Sequence, residues 1–268
     1  MREPLPLGGL GLHPLESALN SRQRTPRFYC PPNEGGTLNR ARTLQLREDQ
    51  SHHALHVLRI KLGATLILFD GQGGEYTAQV CALGKRSVEV QLDAHHPIER
   101  EALRSVTLLQ GISASDRMDL CIQKAVELGI AAIQPLETER SVVRVKGERA
   151  LAKRLHWERV AIAACEQCGR NRVPQVLPIL DIAQLRPSTD LSLELAPDAS
   201  LLLREPVLAQ PDSPIALAIG PEAGFSAQES ERLGRLGFQA VRLGPRILRT
   251  ETAGPAALAA IAALSQEF

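Results

Sequence analysis

The chain has 268 residues, 44% apolar and 23% charged, and its 31 Lys or Arg against 30 Asp or Glu leave a formal net charge of +1. That length predicts two domains, the apolar fraction excludes a disordered chain, and the charge balance excludes gripping nucleic acid by bulk charge, though not by a local basic patch. No apolar run approaches the roughly 20 residues of a membrane span. Five cysteines without a secretory signal (Cys30, Cys81, Cys121, Cys165 and Cys168) predict free thiols in a reducing cytoplasm. Residues 1–26 read as a loose leader.

Residues 27–98 show short strands and turns. A strand is expected at Arg27–Cys30, then turn-rich Pro31–Gly36 and a loosely alternating Thr37–Leu46. Asp49 is placed to cap a helix running to Ile60, with Ala54, Leu55, Val57 and Leu58 inward. Strands follow at Thr65–Phe69, Glu75–Ala82 and Ser87–Leu92, the first two joined by the glycine-rich hairpin signal Asp70–Gly74. Short connections between strands predict a small antiparallel barrel, followed by a His-rich, charged linker at Asp93–Arg104.

Residues 99–268 alternate strand and helix. Strands are expected at Val106–Gly111, Ile130–Pro135, Ser200–Leu203, Ile215–Ile219 and Gln239–Leu243. Helices are expected at Asp116–Gly129, Glu148–Gln167, Ala227–Leu236 and Gly254–Leu264, the first with Met118, Ile122, Ala125 and Val126 on one face. This alternation predicts a parallel sheet covered on both faces, with ligands beyond the carboxyl ends of its strands.

Two loops leave that predicted edge. One is Ile219–Phe225 (IGPEAGF), after a strand and before a helix opened by Ser226; the other is Leu243–Ala253 (LGPRILRTETA). Glycine lets a backbone approach a ligand closely and proline stiffens the approach. Neither loop is a Walker or a Rossmann motif. Apolar Ile247 and Leu248, set between arginines, fit a ligand wall better than a plain turn.

GPEAGF followed by LGPRILRTETA resembles the SPOUT methyltransferases, and specifically the ribosomal RNA small subunit methyltransferase E family. DRMDLCIQKAVELGI (Asp116–Ile130), PLETERSVV (Pro135–Val143), EQCGR (Glu166–Arg170), Arg27-Phe28-Tyr29 and His53–Arg59 fall in the same order. The resemblance implies a PUA-like barrel at 27–98, then an α/β domain at 99–268 threaded into a trefoil knot. It also implies a homodimer that uses S-adenosylmethionine to methylate N3 of a uridine in small-subunit (16S) ribosomal RNA, with the assembled subunit as the expected substrate. By the same resemblance Ile219, Gly220, Pro221, Glu222, Gly224, Leu243, Gly244, Arg246, Ile247 and Leu248 hold the cofactor. One departure stands out: Ala223 replaces a usual glycine, and a positive φ there would strain it by about 1 kcal/mol.

Proton removal from the uracil imide points to Glu251 as base, and the developing anion to Arg249 or Arg170 as stabilising cation. Glu251 also reads as a carboxylate at a helix amino terminus, with Thr250 or Thr252 as cap. Between Glu137 and Arg172 stand nine Lys or Arg against five acids, which marks Arg140, Arg144, Arg170 and Arg172 for RNA phosphate; Arg27 and Arg59 join them from the barrel. Cys165-x-x-Cys168 lacks a second ligand pair and closes a helix, so it reads as incidental rather than as a zinc or redox motif. His52, His53 and His56 read as a surface, and no metal is expected. Two other readings stand beside the enzyme: a non-catalytic RNA-binding ribosome assembly factor, and a SPOUT ribose 2′-O-methyltransferase.

Overall fold

Alternating apolar residues build the first sheet of the computed structural model, which describes residues 25–31, 38, 43–141, 144–188 and 190–268. Nearly all of the leader, and the turn expected before residue 37, lie outside the described residues. Strands β1 (Arg27–Tyr29), β2 (Thr43–Gln45), β3 (Thr65–Phe69), β4 (Glu75–Leu83) and β5 (Val88–His96) are ordered β1-β3-β4-β5-β2. Phe28, Leu66, Leu68, Ala78, Val80, Val90 and Leu92 form its core. The sheet is not wholly antiparallel, because β1 runs parallel to β3. The Asp70–Gly74 turn joins β3 to its antiparallel partner β4, with Gly71, Gly73 and Gly74 at positive φ. β5 continues through Asp93–His96, residues expected in the linker, since His95 and His96 pair with Tyr76 and Glu75.

The expected helix at 49–60 is shorter and changes pitch. Helix α1 (Glu48–His52) starts from Arg47, whose backbone N–H donates to Gln50 Oε1, and it widens into a π-turn at His53–Val57. The bond from Leu58 N to His53 O closes that wider turn. A five-residue step shifts the inward phase that a 3.6-residue period would give. Ala54 therefore stays buried, whereas Val57 and Leu58 are 62% and 40% exposed.

The second sheet has eight strands, and every pairing in it is parallel: β6 (Val106–Gly111), β7 (Ala132–Glu137), β8 (Gln175–Val176), β9 (Leu180–Asp181), β10 (Leu191–Leu195), β11 (Leu201–Leu202), β12 (Ile215–Ile219) and β13 (Gln239–Arg242). The order is β11-β13-β10-β12-β6-β7-β8, with β9 also paired to β7. Helices α2 (Ser115–Glu127), α3 (Glu148–Cys168), α4 (Arg204–Ala209), α5 (Ala227–Arg235) and α6 (Thr250–Leu264) pack around it. Met118, Ile122, Ala125 and Val126 are all buried, as the periodicity of α2 requires. α6 begins at Thr250 rather than Gly254, with Pro255 inside it, because Thr250 is anchored by buried hydrogen bonds. β10 was not expected from the sequence.

A cluster of ion pairs on the first sheet is hydrogen-bonded to the turn that follows α3. Buried Glu75 of β4 accepts from Arg27 (2.8 Å) and Arg100 (2.9 Å), while Arg27 also reaches Asn171 Oδ1 (2.5 Å) and lies over the Phe69 ring. Burial opposes ionisation of Glu75, but the bonds from Arg100 and Arg27 outweigh it and hold the carboxyl at about 2. Tyr29 N donates to Glu166 of α3, and Asn171 Nδ2 donates to Ile98 O. Among the described residues no helix is long and apolar enough to cross a membrane.

Candidate active site

β10, β12 and β13 are neighbours, so the loops leaving their carboxyl ends meet. Together they wall a cavity of about 420 Å³, within the range of roughly 300–1,000 Å³ typical of small-molecule clefts. Ile219, Gly220, Pro221, Glu222 and Gly224 line one side, and Leu243, Gly244, Arg246, Ile247 and Leu248 another; Arg249 and Glu251 complete that wall. All ten residues expected to hold a cofactor, and two of the three proposed for chemistry, are thus at one cavity.

The GPEAGF loop folds tightly on itself. A Cβ at Gly220 would stand 2.7 Å from Phe225 N and 2.8 Å from Gly224 Cα, so only glycine fits. Gly224 takes φ +71 and donates to Pro221 O, whereas Ala223 is not among the described residues with positive φ. The strain feared at Ala223 is therefore absent. Glu222 Oε1 accepts from Ala114 N and Arg117 Nη1, tying the loop to the start of α2. Ser226 and Glu229 form a reciprocal capping box that opens α5.

A buried polar chain underlies the cavity. Cys121 Sγ donates to Gln110 Oε1 (3.3 Å), Gln110 Nε2 donates to Thr250 Oγ1 (2.9 Å), and Thr250 Oγ1 donates to Gly220 O (2.8 Å). Burial, with the charge of Glu251 adding, pushes the Cys121 thiol up to about 12, so it stays a neutral donor. The chain joins the end of β6 and the first turn of α6 to the GPEAGF loop.

Glu251 lies in that first turn, where a helix dipole favours a carboxylate. Its Oε2 is shut from solvent yet has no hydrogen-bond partner, as is Glu222 Oε2. Orphaned buried acceptors beside a cavity fit a ligand that brings donors. Arg249 is the amino-terminal flanking residue of α6; it is exposed, its carbonyl accepts from Thr252 N and Ala253 N, and among the described residues no hydrogen bond or ion pair engages its guanidinium. Ile247, 82% exposed on the rim, leaves a large apolar side chain open to a ligand or another chain.

Other expected site residues lie elsewhere. Arg170 is 3% exposed, pairs with Glu101 and donates to Val126 O, so it braces the interior away from the cavity. Arg27 is held by Glu75 and Asn171 and is not available as a surface contact. Arg140, expected at phosphate, is turned onto the GPEAGF loop instead. Arg59, Arg144 and Arg172 are exposed; Arg144 donates to Glu139 O, and Arg172 lies 3.5 Å from Glu99. Burial raises the Cys165 thiol to about 12, so it is not a reactive thiolate.

Sequence reasoning missed Leu195, Ala196 and Pro197, the third wall, together with Arg117. The alternating LSLEL run before Ala196-Pro197 was a signal for them. It was masked by Glu194, an acid on a central strand, buried and satisfied by Ser230 Oγ.

Comparison with known proteins agrees with this geometry. Residues 99–262 match the RNA methyltransferase domain family, and residues 46–93 match the RNA methyltransferase PUA domain. Ribosomal RNA small subunit methyltransferase E of Bacillus subtilis is 30% identical over 84% of this chain and 91% of its own length. The enzyme of the same name from Buchnera aphidicola of Schizaphis graminum is 31% identical over 92% and 98%. Two solved structures are each 38% identical. Ribosomal RNA small subunit methyltransferase E from Neisseria gonorrhoeae, bound to S-adenosylmethionine, has a TM-score of 0.79 and covers 91% of this chain and 98% of that one. A protein from Legionella pneumophila, solved with the same cofactor, has a TM-score of 0.83 and covers 90% and 98%. With matches of this extent across both of its sheets, the chain belongs to the ribosomal RNA small subunit methyltransferase E family.

Proposed function

We propose that the protein transfers the methyl group of S-adenosylmethionine to N3 of a uridine in small-subunit (16S) ribosomal RNA, acting in the cytoplasm on the assembled subunit. The observation that carries this is the cavity at the carboxyl ends of three neighbouring parallel strands, walled by GPEAGF and LGPRILRTETA, with a buried acceptor of Glu251 unpaired.

The close backbone loops and apolar Leu243, Ile247 and Leu248 suit an adenosine; Gly220 lets the GPEAGF loop close on itself, and Gly244 keeps a side chain out of the open space beside it. The bound cofactor supplies an electrophilic methyl on a sulfonium. The protein's own contribution is then mostly positioning, which removes the entropic part of the barrier. Glu251 Oε2 is the proposed acceptor for the N3 proton, and the unengaged guanidinium of Arg249 stabilises charge developing on the uracil carbonyls. The target base must be unstacked to enter.

Residues 27–98 act in this scheme as the RNA-binding barrel and 99–268 as the knotted methyltransferase domain. Arg59, Arg144 and Arg172 remain as phosphate contacts, and the chain works as a homodimer through its carboxyl-terminal domain. Incubating purified protein with methyl-labelled cofactor and either small subunits or naked 16S RNA, followed by nucleoside analysis, tests the reading. Label in 3-methyluridine, stronger with subunits, is expected. Label in a 2′-O-methylnucleoside, or none, would overturn it.

A further inference from the structure

The turn after β7 meets the GPEAGF loop through two separate bridges. Arg140 Nη1 donates to Ala223 O (2.9 Å) and Phe225 O (3.2 Å). Next to it, Glu139 N donates to Glu229 Oε1 (2.7 Å), while Glu229 Oε2 accepts from Ser226 N (2.8 Å). The turn is itself closed, since Thr138 N donates to Ser141 Oγ (3.1 Å). A braced turn on one side thus holds a loop on the other.

What it holds is the end of the loop around Gly224. The two carbonyls that Arg140 engages flank Gly224, which takes φ +71 and would have nothing within 4 Å of an added Cβ. Glycine peptides rotate easily, and on its Cβ side this one faces open space, its amide held by the bond to Pro221 O. A guanidinium bonded to the Ala223 and Phe225 carbonyls fixes the peptide planes on either side of Gly224, and Ala223 and Gly224 line the cavity; hydrogen bonds to a charged donor are the stronger kind.

We propose that Arg140 is a positioning residue for the cofactor loop: it holds the Ala223–Phe225 peptides in the geometry that binds S-adenosylmethionine, and it is not a phosphate contact. This rests on the reading of the cavity as the cofactor site. It assigns a task within cofactor binding to an arginine of the basic stretch, 83 residues from the carbonyl it grips.

Calorimetric titration of the full chain with S-adenosylmethionine alone, without RNA, tests it. Wild type, Arg140→Ala, Arg140→Lys and Arg149→Ala, an exposed arginine of the same basic stretch, are compared, together with cofactor-free melting temperatures and the salt dependence of RNA binding. Arg140→Ala should bind the cofactor about five- to tenfold more weakly, the scale of one charged hydrogen-bonding group lost at a half-open site. Its melting temperature and its salt slope should match wild type. Arg140→Lys should recover part of the affinity, and Arg149→Ala should bind the cofactor normally. Wild-type affinity in Arg140→Ala would overturn the proposal, and a salt slope reduced by about 0.7–0.9 would return Arg140 to phosphate contact. A melting temperature falling in step with affinity, without rescue by lysine, would reduce it to a structural residue. If wild type itself bound no cofactor, the reading of the site would fall, and the proposal with it.

Discussion

Replacing Thr250 with valine isolates the hydroxyl at the base of the cavity. Valine matches threonine in shape, so packing is preserved while two hydrogen bonds disappear. Gly220 O then loses the donor at 2.8 Å, and Gln110 Nε2 loses the acceptor at 2.9 Å, although its other proton still reaches Gly111 O. Both stranded groups are buried, Gln110 being 1% exposed. Each costs about 1–3 kcal/mol, and burying a methyl in place of a hydroxyl returns about 1 kcal/mol, for a net loss of roughly 1–5 kcal/mol. Urea denaturation of the cofactor-free protein measures this directly. Thr250→Ser, which keeps the hydroxyl, should lose less than about 1 kcal/mol. Adding Gln110→Leu to Thr250→Val should cost less than the sum of the two, because the stranded donor is then gone. Because Gly220 opens the GPEAGF loop, Thr250→Val should also weaken cofactor binding about tenfold, while Thr250→Ser should not. If valine were tolerated as well as serine in both assays, the polar chain would not hold the loop and the reasoning would fail.

Arg249→Ala should leave RNA and cofactor affinity near normal and slow single-turnover methylation by about two to three orders of magnitude, the usual cost of one charge-stabilising donor; a full rate would remove Arg249 from the chemistry. Glu75 has its carboxyl held at about 2 against an ordinary 4.5. The stability it contributes is therefore complete above about pH 4.5 and is lost as pH falls toward 2. Glu75→Gln should abolish that part of the acid sensitivity and lower stability at pH 7 by on the order of 2–3 kcal/mol in chemical denaturation. An unchanged pH profile would exclude the Arg27–Glu75–Arg100 cluster as a source of stability. Light scattering at micromolar concentration should give twice the 29.1 kDa of one chain, and a monomer would refute the dimer.

Strands bounded by turns and carrying unbroken apolar runs were legible to the residue: Val106–Gly111 and Ile215–Ile219 form as read. The GPEAGF and LGPRILRTETA loops were legible as a site because their glycines and prolines are local demands of close backbone approach. What escaped depends on distant partners. Glu194 looks like a surface acid until Ser230 is placed against it, so β10 and the wall it leads to were hidden. Arg27 and Arg170 look like RNA contacts until Glu75 and Glu101 close on them, from 48 and 69 residues away. The π-turn at His53–Val57 turns Val57 and Leu58 outward in a way no 3.6-residue period encodes. The anchoring of Thr250 likewise starts α6 before the Gly-Pro pair that local signals favour.

The central claim is methyl transfer to uridine N3 of small-subunit RNA, and it is tested most directly in cells. A methyl on N3 blocks the base-pairing edge, so reverse transcriptase stops there, whereas a ribose methyl leaves that edge free. Primer extension across 16S RNA from cells with and without this protein should show one stop that depends on the protein and is not restored by Arg249→Ala. Identical extension in both, or a protein-dependent modification found only as 2′-O-methylribose, would contradict the account.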